Sequence, residues 1–265
     1  MISKNQIRLV RSLELKKNRK REQLFVAEGP KVVGDLLKAG YRAHTLFAIP
    51  EWRQAADVML ATPSTSPSTS GADAPAVTLV TPDELRRISF LQHPQEVLGV
   101  FHIPAESVAD SEDGDWPSGR LAIALDGVQD PGNVGTIIRI ADWFGIDTIY
   151  CSPDTADVYN PKVVQATMGS IAHVHFHYCS LPALLSRVTC PVYGTLLDGE
   201  NIYRQPLSKE GIIVMGNEGN GISQEVRTLI THRLLIPNFN SDAETAESLN
   251  VAVATAITCS EFRRR

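Results

Sequence analysis

Four cysteines in 265 residues, none in a C-x-x-C pair, leave no framework for a disulfide scaffold, a zinc ribbon or a dithiol redox site. Cys151, Cys179, Cys190 and Cys259 therefore read as reduced thiols. Long apolar runs are missing too. The longest, such as 121–125 and 211–215, fall far short of the roughly 20 residues that cross a bilayer, so no membrane span is expected. No apolar stretch with a small-residue cleavage site follows the basic N-terminus, so no secretory signal is readable and a cytoplasmic location is expected. No repeat recurs at solenoid or propeller periods. The chain also lacks a surplus of positive charge. Its formal net charge of −5, taken alone, argues against a nucleic-acid partner.

What is present changes that last reading. Residues 1–25 hold Lys4, Arg8, Arg11, Lys16, Lys17, Arg19, Lys20 and Arg21 against only Glu14 and Glu22, and the rest of the chain is correspondingly more acidic. Screening acts over about 8 Å at physiological salt, so a local basic run can track phosphates on an acidic protein. The plainer alternative is a solvated helix face. A composition of 43% hydrophobic and 21% charged residues is that of a folded protein with a real core, and the length suits two domains.

Two stretches read as connections. Residues 63–76 (PSTSPSTSGADAPA) have almost no apolar content and suit a flexible insertion. Residues 105–118 carry Glu106, Asp110, Glu112, Asp113 and Asp115 and separate two patterned regions. The expected organisation is a small α/β domain over 1–104, an acidic linker over 105–118 and an α/β domain over 119–265. In the first, helices are expected at 31–39 and 82–88 and strands at 45–49, 77–80 and 97–103. In the second, strand 121–125, helix 134–144 and strand 148–151 form a βαβ unit, which favours a parallel sheet. Further strands are expected at 173–176, 192–197, 211–215 and 233–236, with helices at 181–188, 224–231 and 249–262.

Three clusters lie just past expected strand ends, where open parallel sheets place ligands. The first, DGVQDPGNVG at 126–135, is a tight turn ahead of a helix that bears Arg139 and suits an anionic group. The second, GNEGNG at 216–221, reverses the glycine order of the dinucleotide fingerprint and lacks the Lys-Ser/Thr of a P-loop, which disfavours a nicotinamide site; Glu218 is an acid set among glycines. The third runs from Ile236-Pro237 through a polar loop to SLNVAVA at 248–254, where Ser248 suits a helix N-cap and Asn250 falls in the first turn. His173, His175 and His177 alternate, but no Cys or acid is placed to complete a metal site, so exposed strand histidines are the expected reading.

Taken together, LDGVQDPGNVGTIIRIADWFG, VMGNEGNGIS and IP…ESLNVAVATAI resemble, in order, the three signature motifs of the SpoU family of RNA ribose 2′-O-methyltransferases in the SPOUT superfamily. SKNQIRLVRSL and FVAEGPKVV are similar, more loosely, to that family's N-terminal RNA-binding domain. The resemblance implies an α/β fold with a C-terminal trefoil knot, a homodimer, S-adenosylmethionine as cofactor and RNA as substrate, ribosomal in preference to transfer RNA. It places the functional residues at Asn133, Arg139, Glu218, Ser248 and Asn250. Cofactor contacts fall at Gly216, Ile236 and Leu249 with walls from Thr195 and Leu196, and extend over Asn217, Gly219 and Gly221. The chain departs from the pattern in a longer loop at 238–247 and in Gln165, where a basic residue is common.

Methyl transfer from a sulfonium to a ribose hydroxyl needs in-line positioning, help with the hydroxyl proton and stabilisation of growing negative charge. No metal is required. Arginine suits the charge and a phosphate, whereas a guanidinium with a pKa above 12 makes a poor base. Glu218 is the alternative base, or else a partner that holds Arg139. The competing classes are a non-catalytic RNA-binding or ribosome-assembly factor of the same fold and a nucleotide-dependent oxidoreductase.

Overall fold

A computed structural model describes residues 1–53, 76–104, 119–240 and 248–264. The insertion at 63–75, the acidic linker at 105–118 and positions 241–247 of the long loop lie outside the described residues. The chain forms two compact units, Met1–Ala105 with Tyr159–Ala172, and Glu106–Val158 with His173–Arg265. Chain order would put 159–172 in the second unit; by its packing it belongs to the first. No helix among the described residues is long and apolar enough to cross a membrane.

The first unit is built on a four-stranded sheet of β1 (Leu24–Glu28), β2 (Ala43–Ala48), β3 (Val77–Leu79) and β4 (Val97–His102) in the order β1-β4-β2-β3. Helices α1 (Lys4–Ser12), α2 (Lys16–Glu22), α3 (Pro30–Lys38) and α4 (Pro82–Ile88) accompany it. A reciprocal capping box starts α1: Ser3 Oγ accepts from Gln6 N, and Gln6 Oε1 accepts from Ser3 N. Val10 and Leu13 then join Val26, Phe47, Ile88 and Leu98 in one apolar cluster. The basic run is not uniformly solvated. Arg19 is 1% exposed, and its Nη1 donates to the carbonyls of Leu13 and Glu14, both at 2.7 Å, which locks the α1–α2 corner. Lys16, Lys17, Lys20 and Arg21 stay exposed.

Helix α5 (Pro161–Ala166) packs against β1 within this unit. Tyr159 sits 4.9 Å from the Phe25 ring, Tyr41 donates to the Ile171 carbonyl at 3.2 Å, and Val163 and Ile171 are buried. Gln165 lies on α5.

The second unit holds a six-stranded, wholly parallel sheet in the order β10-β8-β9-β5-β6-β7. Its strands are β5 (Leu121–Asp126), β6 (Thr148–Cys151), β7 (His175–Tyr178), β8 (Val192–Asn201), β9 (Gly211–Gly216) and β10 (His232–Leu235). Its helices are α6 (Pro131–Trp143), α7 (Leu181–Leu185), α8 (Gln224–Arg227) and α9 (Val251–Arg264). β5 and β9 are buried along almost their whole length, as parallel strands covered on both faces must be. The chain moves outward from β5 to β7, then returns to place β9 on the other side of β5. That reversal makes the β5–β9 boundary the switch point where open α/β sheets bind ligands.

Beside it, β8 pairs with β9 only at 192–194 and with β10 at 193–194 and 200–201, so residues 195–199 leave the ladders. At its far end an ideal Cβ on Gly199 would lie 2.6 Å from the Leu234 carbonyl carbon, so only glycine admits the crossing. All four cysteines are free thiols, and burial pushes the Cys259 pKa up to about 12. The expected strand at 173–176 begins later, so His173 lies outside β7 and faces Asp142 at 3.3 Å.

Candidate active site

The loops after β5 and β9 are tied to each other before any ligand is considered. Asp126 and Gly216 are register partners at the ends of those strands. Asp126 Oδ2 accepts from Ser223 N at 2.7 Å, and Asn217 Nδ2 donates to the Gly127 carbonyl at 2.7 Å. Asn217 Oδ1 also accepts from Gly219 N and Asn220 N, while the Asn217 and Gly221 backbones bridge at 2.9 Å in both directions. An ideal Cβ on Gly216 would sit 2.4 Å from Gly221 backbone, so the turn closes only around glycine. The 216–221 cluster is thus a braced loop that aims Glu218 outward. Asn217, expected from the sequence to be a cofactor contact, is its brace.

Helix α6 begins in the other loop. Asp130 is its N-cap, accepting from Asn133 N at 2.8 Å, and Pro131 fills the first position, where a missing N–H costs nothing. Asn133 therefore sits in the first turn, beside Glu218. Its Nδ2 donates to Glu218 Oε1 at 2.7 Å, and its Oδ1 accepts from Asn250 Nδ2 at 2.9 Å. Asn250 in turn caps α9. Its Oδ1 accepts from Ala252 N and Val253 N, and its carbonyl accepts from Ala254 N. The expected cap at Ser248 is corrected by this geometry: Asn250 is the cap, not a first-turn residue, while Ser248 and Leu249 are exposed just before it. One residue from each sequence cluster thus joins a single chain of hydrogen bonds, Asn250 to Asn133 to Glu218.

Arg139 does not join it. Six residues beyond Asn133, it lies about 9 Å further along α6 and roughly a third of a turn around it. It is exposed and makes no ion pair among the described residues. The pairing of Glu218 with Arg139 considered from the sequence is therefore not what one chain shows; the Glu218 partner is Asn133. Gly132, Thr136, Arg139 and Trp143 form an exposed stripe on α6, and Trp143 is 84% exposed.

A cavity of about 1350 Å³ opens between the loop after β9, the β8 excursion and the segments that follow β10 and precede α9. It is lined by Thr195, Leu196, Gly216, Asn217, Glu218, Gly219, Gly221, Ile236, Ser248 and Leu249, which brings together the expected cofactor contacts with two of the expected functional residues. Asn133, Arg139 and Asn250 are not in its wall. Leu197, Asp198 and Phe239 also line it and were not singled out from the sequence. Asp198 is shared between Arg227 and Arg233. The sole sequence signal for Leu197 and Asp198 is adjacency to Leu196.

Comparison with known proteins divides the chain by sequence order, with 159–172 inside the C-terminal match. Residues 120–260 match the SpoU rRNA Methylase family and residues 4–99 an MRM3-like substrate binding domain. Over 251 residues, 93% of this chain and 91% of the other, the chain is 30% identical to the 23S rRNA guanosine 2′-O-methyltransferase RlmP of Bacillus subtilis. The structure of an AdoMet-bound rRNA methyltransferase from Sinorhizobium meliloti superposes with a TM-score of 0.83 at 31% identity, covering 100% of this chain and 97% of that one. A TrmH-family protein from Porphyromonas gingivalis gives the same TM-score at 42% identity, with 100% and 99% covered. With a family match over more than half its length, set on the loops that build the site, the chain belongs to the SpoU rRNA Methylase family.

Proposed function

We propose that the protein is an S-adenosylmethionine-dependent enzyme that methylates a ribose 2′-hydroxyl of ribosomal RNA in the cytoplasm, and that it works as a homodimer with a knotted C-terminal domain. The observation that carries this reading is the Asn250–Asn133–Glu218 chain beside a cavity at the ends of β8, β9 and β10.

The cavity suits the cofactor by its chemistry. Backbone at 195–199 has left its ladders, which leaves peptide groups for an adenine edge, and Leu196, Ile236 and Leu249 offer apolar surface for the ring. When bound, the cofactor supplies an activated methyl group on sulfur. The protein's task is then to orient the hydroxyl, accept its proton and offset charge on oxygen. Glu218 Oε1 is engaged by Asn133, which fixes the carboxylate and leaves Oε2 to accept from a hydroxyl. A carboxylate so held is a candidate base; Asn133 and Asn250 are positioning residues.

The guanidinium that would offset charge comes, in this reading, from a second copy. The Arg139 stripe ends at Trp143, an aromatic exposed to an extent that water does not favour, and Val253 on α9 is also about half exposed. Pairing two copies through α6 and α9 covers those side chains and carries Arg139 to the partner's site.

Transfer of labelled methyl groups tests the whole. Purified protein should label 23S ribosomal RNA on ribose and leave transfer RNA unlabelled. Label on transfer RNA alone would move the substrate, and cofactor binding without transfer to any RNA would leave a non-catalytic factor.

A further inference from the structure

We propose that Arg11, laid over Phe90 on the first unit, is a preformed platform on which an unpaired RNA base stacks. The proposal rests on the RNA-methylating reading for the identity of its ligand.

The construction starts from a buried acid. Glu28 closes β1 at 6% exposure. Its Oε2 accepts from Ser89 Oγ and its Oε1 from Phe90 N at 2.8 Å, while Ser89 Oγ accepts from Leu91 N at 3.0 Å. The chain leaving α4 is therefore pinned over three successive residues. Phe90, packed against the apolar cluster of Val10, Leu13 and Ile88, presents its ring towards the end of α1. There the Arg11 guanidinium carbon lies 5.5 Å from the ring centroid, and Arg11 Nε donates to the Arg87 carbonyl at 3.0 Å.

One edge of the guanidinium is held by the Arg87 carbonyl, and its carbon lies over the Phe90 ring. Arg11 is nonetheless exposed, so the group remains open to a ligand from the solvent side, and it has no carboxylate within ion-pair distance among the described residues. A planar, weakly hydrated cation fixed in this way has already given up its rotamer freedom, which lowers the cost of stacking a ring on it. Arg8, one turn earlier on α1, and Arg87 are also exposed and add positive charge for the neighbouring phosphates.

The geometry favours a base over a duplex. Paired RNA buries its base planes and shows proteins phosphates, sugars and groove edges, whereas loops and bulges offer free faces that stack on aromatic rings and guanidinium planes. A contact with phosphate alone would not need the ring beneath or the carbonyl at the edge.

The test separates stacking from charge. Full-length protein is titrated with a labelled dodecamer of oligoadenylate and, by competition, with linear polyphosphate, which has charge and no bases. Arg11→Lys keeps the charge and loses the plane. It should weaken oligoadenylate binding about fivefold to tenfold, leave the polyphosphate constant unchanged and keep the slope of affinity against salt. Phe90→Leu, which keeps an apolar contact with the core, should repeat that selective loss with an unchanged far-ultraviolet spectrum. Unchanged oligoadenylate affinity in Arg11→Lys, equal losses on both probes in Phe90→Leu, or wild-type protein that does not hold oligoadenylate would each overturn the platform. Methyl transfer is measured separately on wild-type protein. Activity on RNA without this selectivity removes the platform alone; selectivity without methyl transfer removes the enzymatic reading alone.

Discussion

Asn250 does two jobs that substitution can separate. Its Oδ1 caps α9 and its Nδ2 holds Asn133. Asn250→Ala removes both. Loss of an N-cap costs about 1 kcal/mol, and a neutral hydrogen bond on an exposed edge adds about 0.5 kcal/mol more. For a unit of this size, each kcal/mol lowers the melting temperature by about 2–4 °C, so a drop of about 3–6 °C is expected. Asn250→Asp keeps the cap and places a negative charge at a helix N-terminus, worth about 0.3–1 kcal/mol, which roughly offsets the lost bond to Asn133. Its melting temperature should stay within about 2 °C of wild type. Its turnover should not, because an Asn133 amide free to rotate towards the introduced carboxylate lets go of Glu218, and a misplacement near 1 Å can cost about a hundredfold. The assay pairs thermal unfolding, following the transition that S-adenosylmethionine raises, with single-turnover methyl transfer to ribosomal RNA. Wild-type turnover in Asn250→Asp would refute the role of the hydrogen-bonded chain in the reaction, and an unchanged melting temperature in Asn250→Ala would refute the cap.

Arg139→Lys, at an exposed position with no ion pair among the described residues, should leave stability within about 0.5 kcal/mol while turnover collapses; in single-turnover rates alongside Glu218→Gln and the double variant, the losses should add if the two residues act separately and fall short of the sum if they act as a unit. Trp143→Glu should convert a dimer to a monomer in sedimentation and abolish methyl transfer with cofactor affinity retained, and a dimer with full activity would exclude the α6 stripe as the interface. Neutralising Lys16, Lys17, Lys20 and Arg21 together should flatten the salt dependence of RNA binding, by roughly one unit of slope per lost phosphate contact, without changing cofactor affinity. Burial holds the Glu28 carboxyl above its ordinary value near 4.5, outweighing its bonds from Ser89 and Phe90 and the positive charge of Arg11. Its contribution to stability is therefore fully present below that pH and is lost as pH rises through the raised value, so wild-type stability relative to Glu28→Gln should fall from pH 4 to pH 7 in denaturant titrations; a constant difference would count against the burial effect.

The three site clusters were legible because loops at strand ends need residues that structural elements avoid: glycines at 216, 219 and 221, the proline at 131, and acids and amides with no core to fill. Which atoms meet was not legible. Ser248 and Asn250 are equally good caps by type, and only the start of α9 at Val251 decides between them. Glu218 could reach an arginine or an amide by residue type; within one chain the partner it takes is the Asn133 amide. β1 has no readable pattern, because LFVAE is a short run buried at every position, with no alternation to distinguish strand from helix. The α1–α2 pair was hidden by charge, since nothing in the residue type of Arg19 tells that it points inward while Lys16 and Lys20 point out. The break in β8 depends on a partner strand more than thirty residues away and has no local signature.

The placement of 159–172 bears on how the protein is made. The first unit includes Tyr159–Ala172, yet its own sheet is complete in sequence by His102. On the ribosome that sheet emerges first, with the Phe25 face still waiting for Tyr159 and the β1 contacts of α5 still to come. At roughly 5–20 residues per second, the missing segment follows about 3–14 seconds later. Through that interval the nascent domain exposes an aromatic face that the finished protein hides, so synthesis speed across this stretch, and any chaperone that covers the face, should govern the yield of folded enzyme.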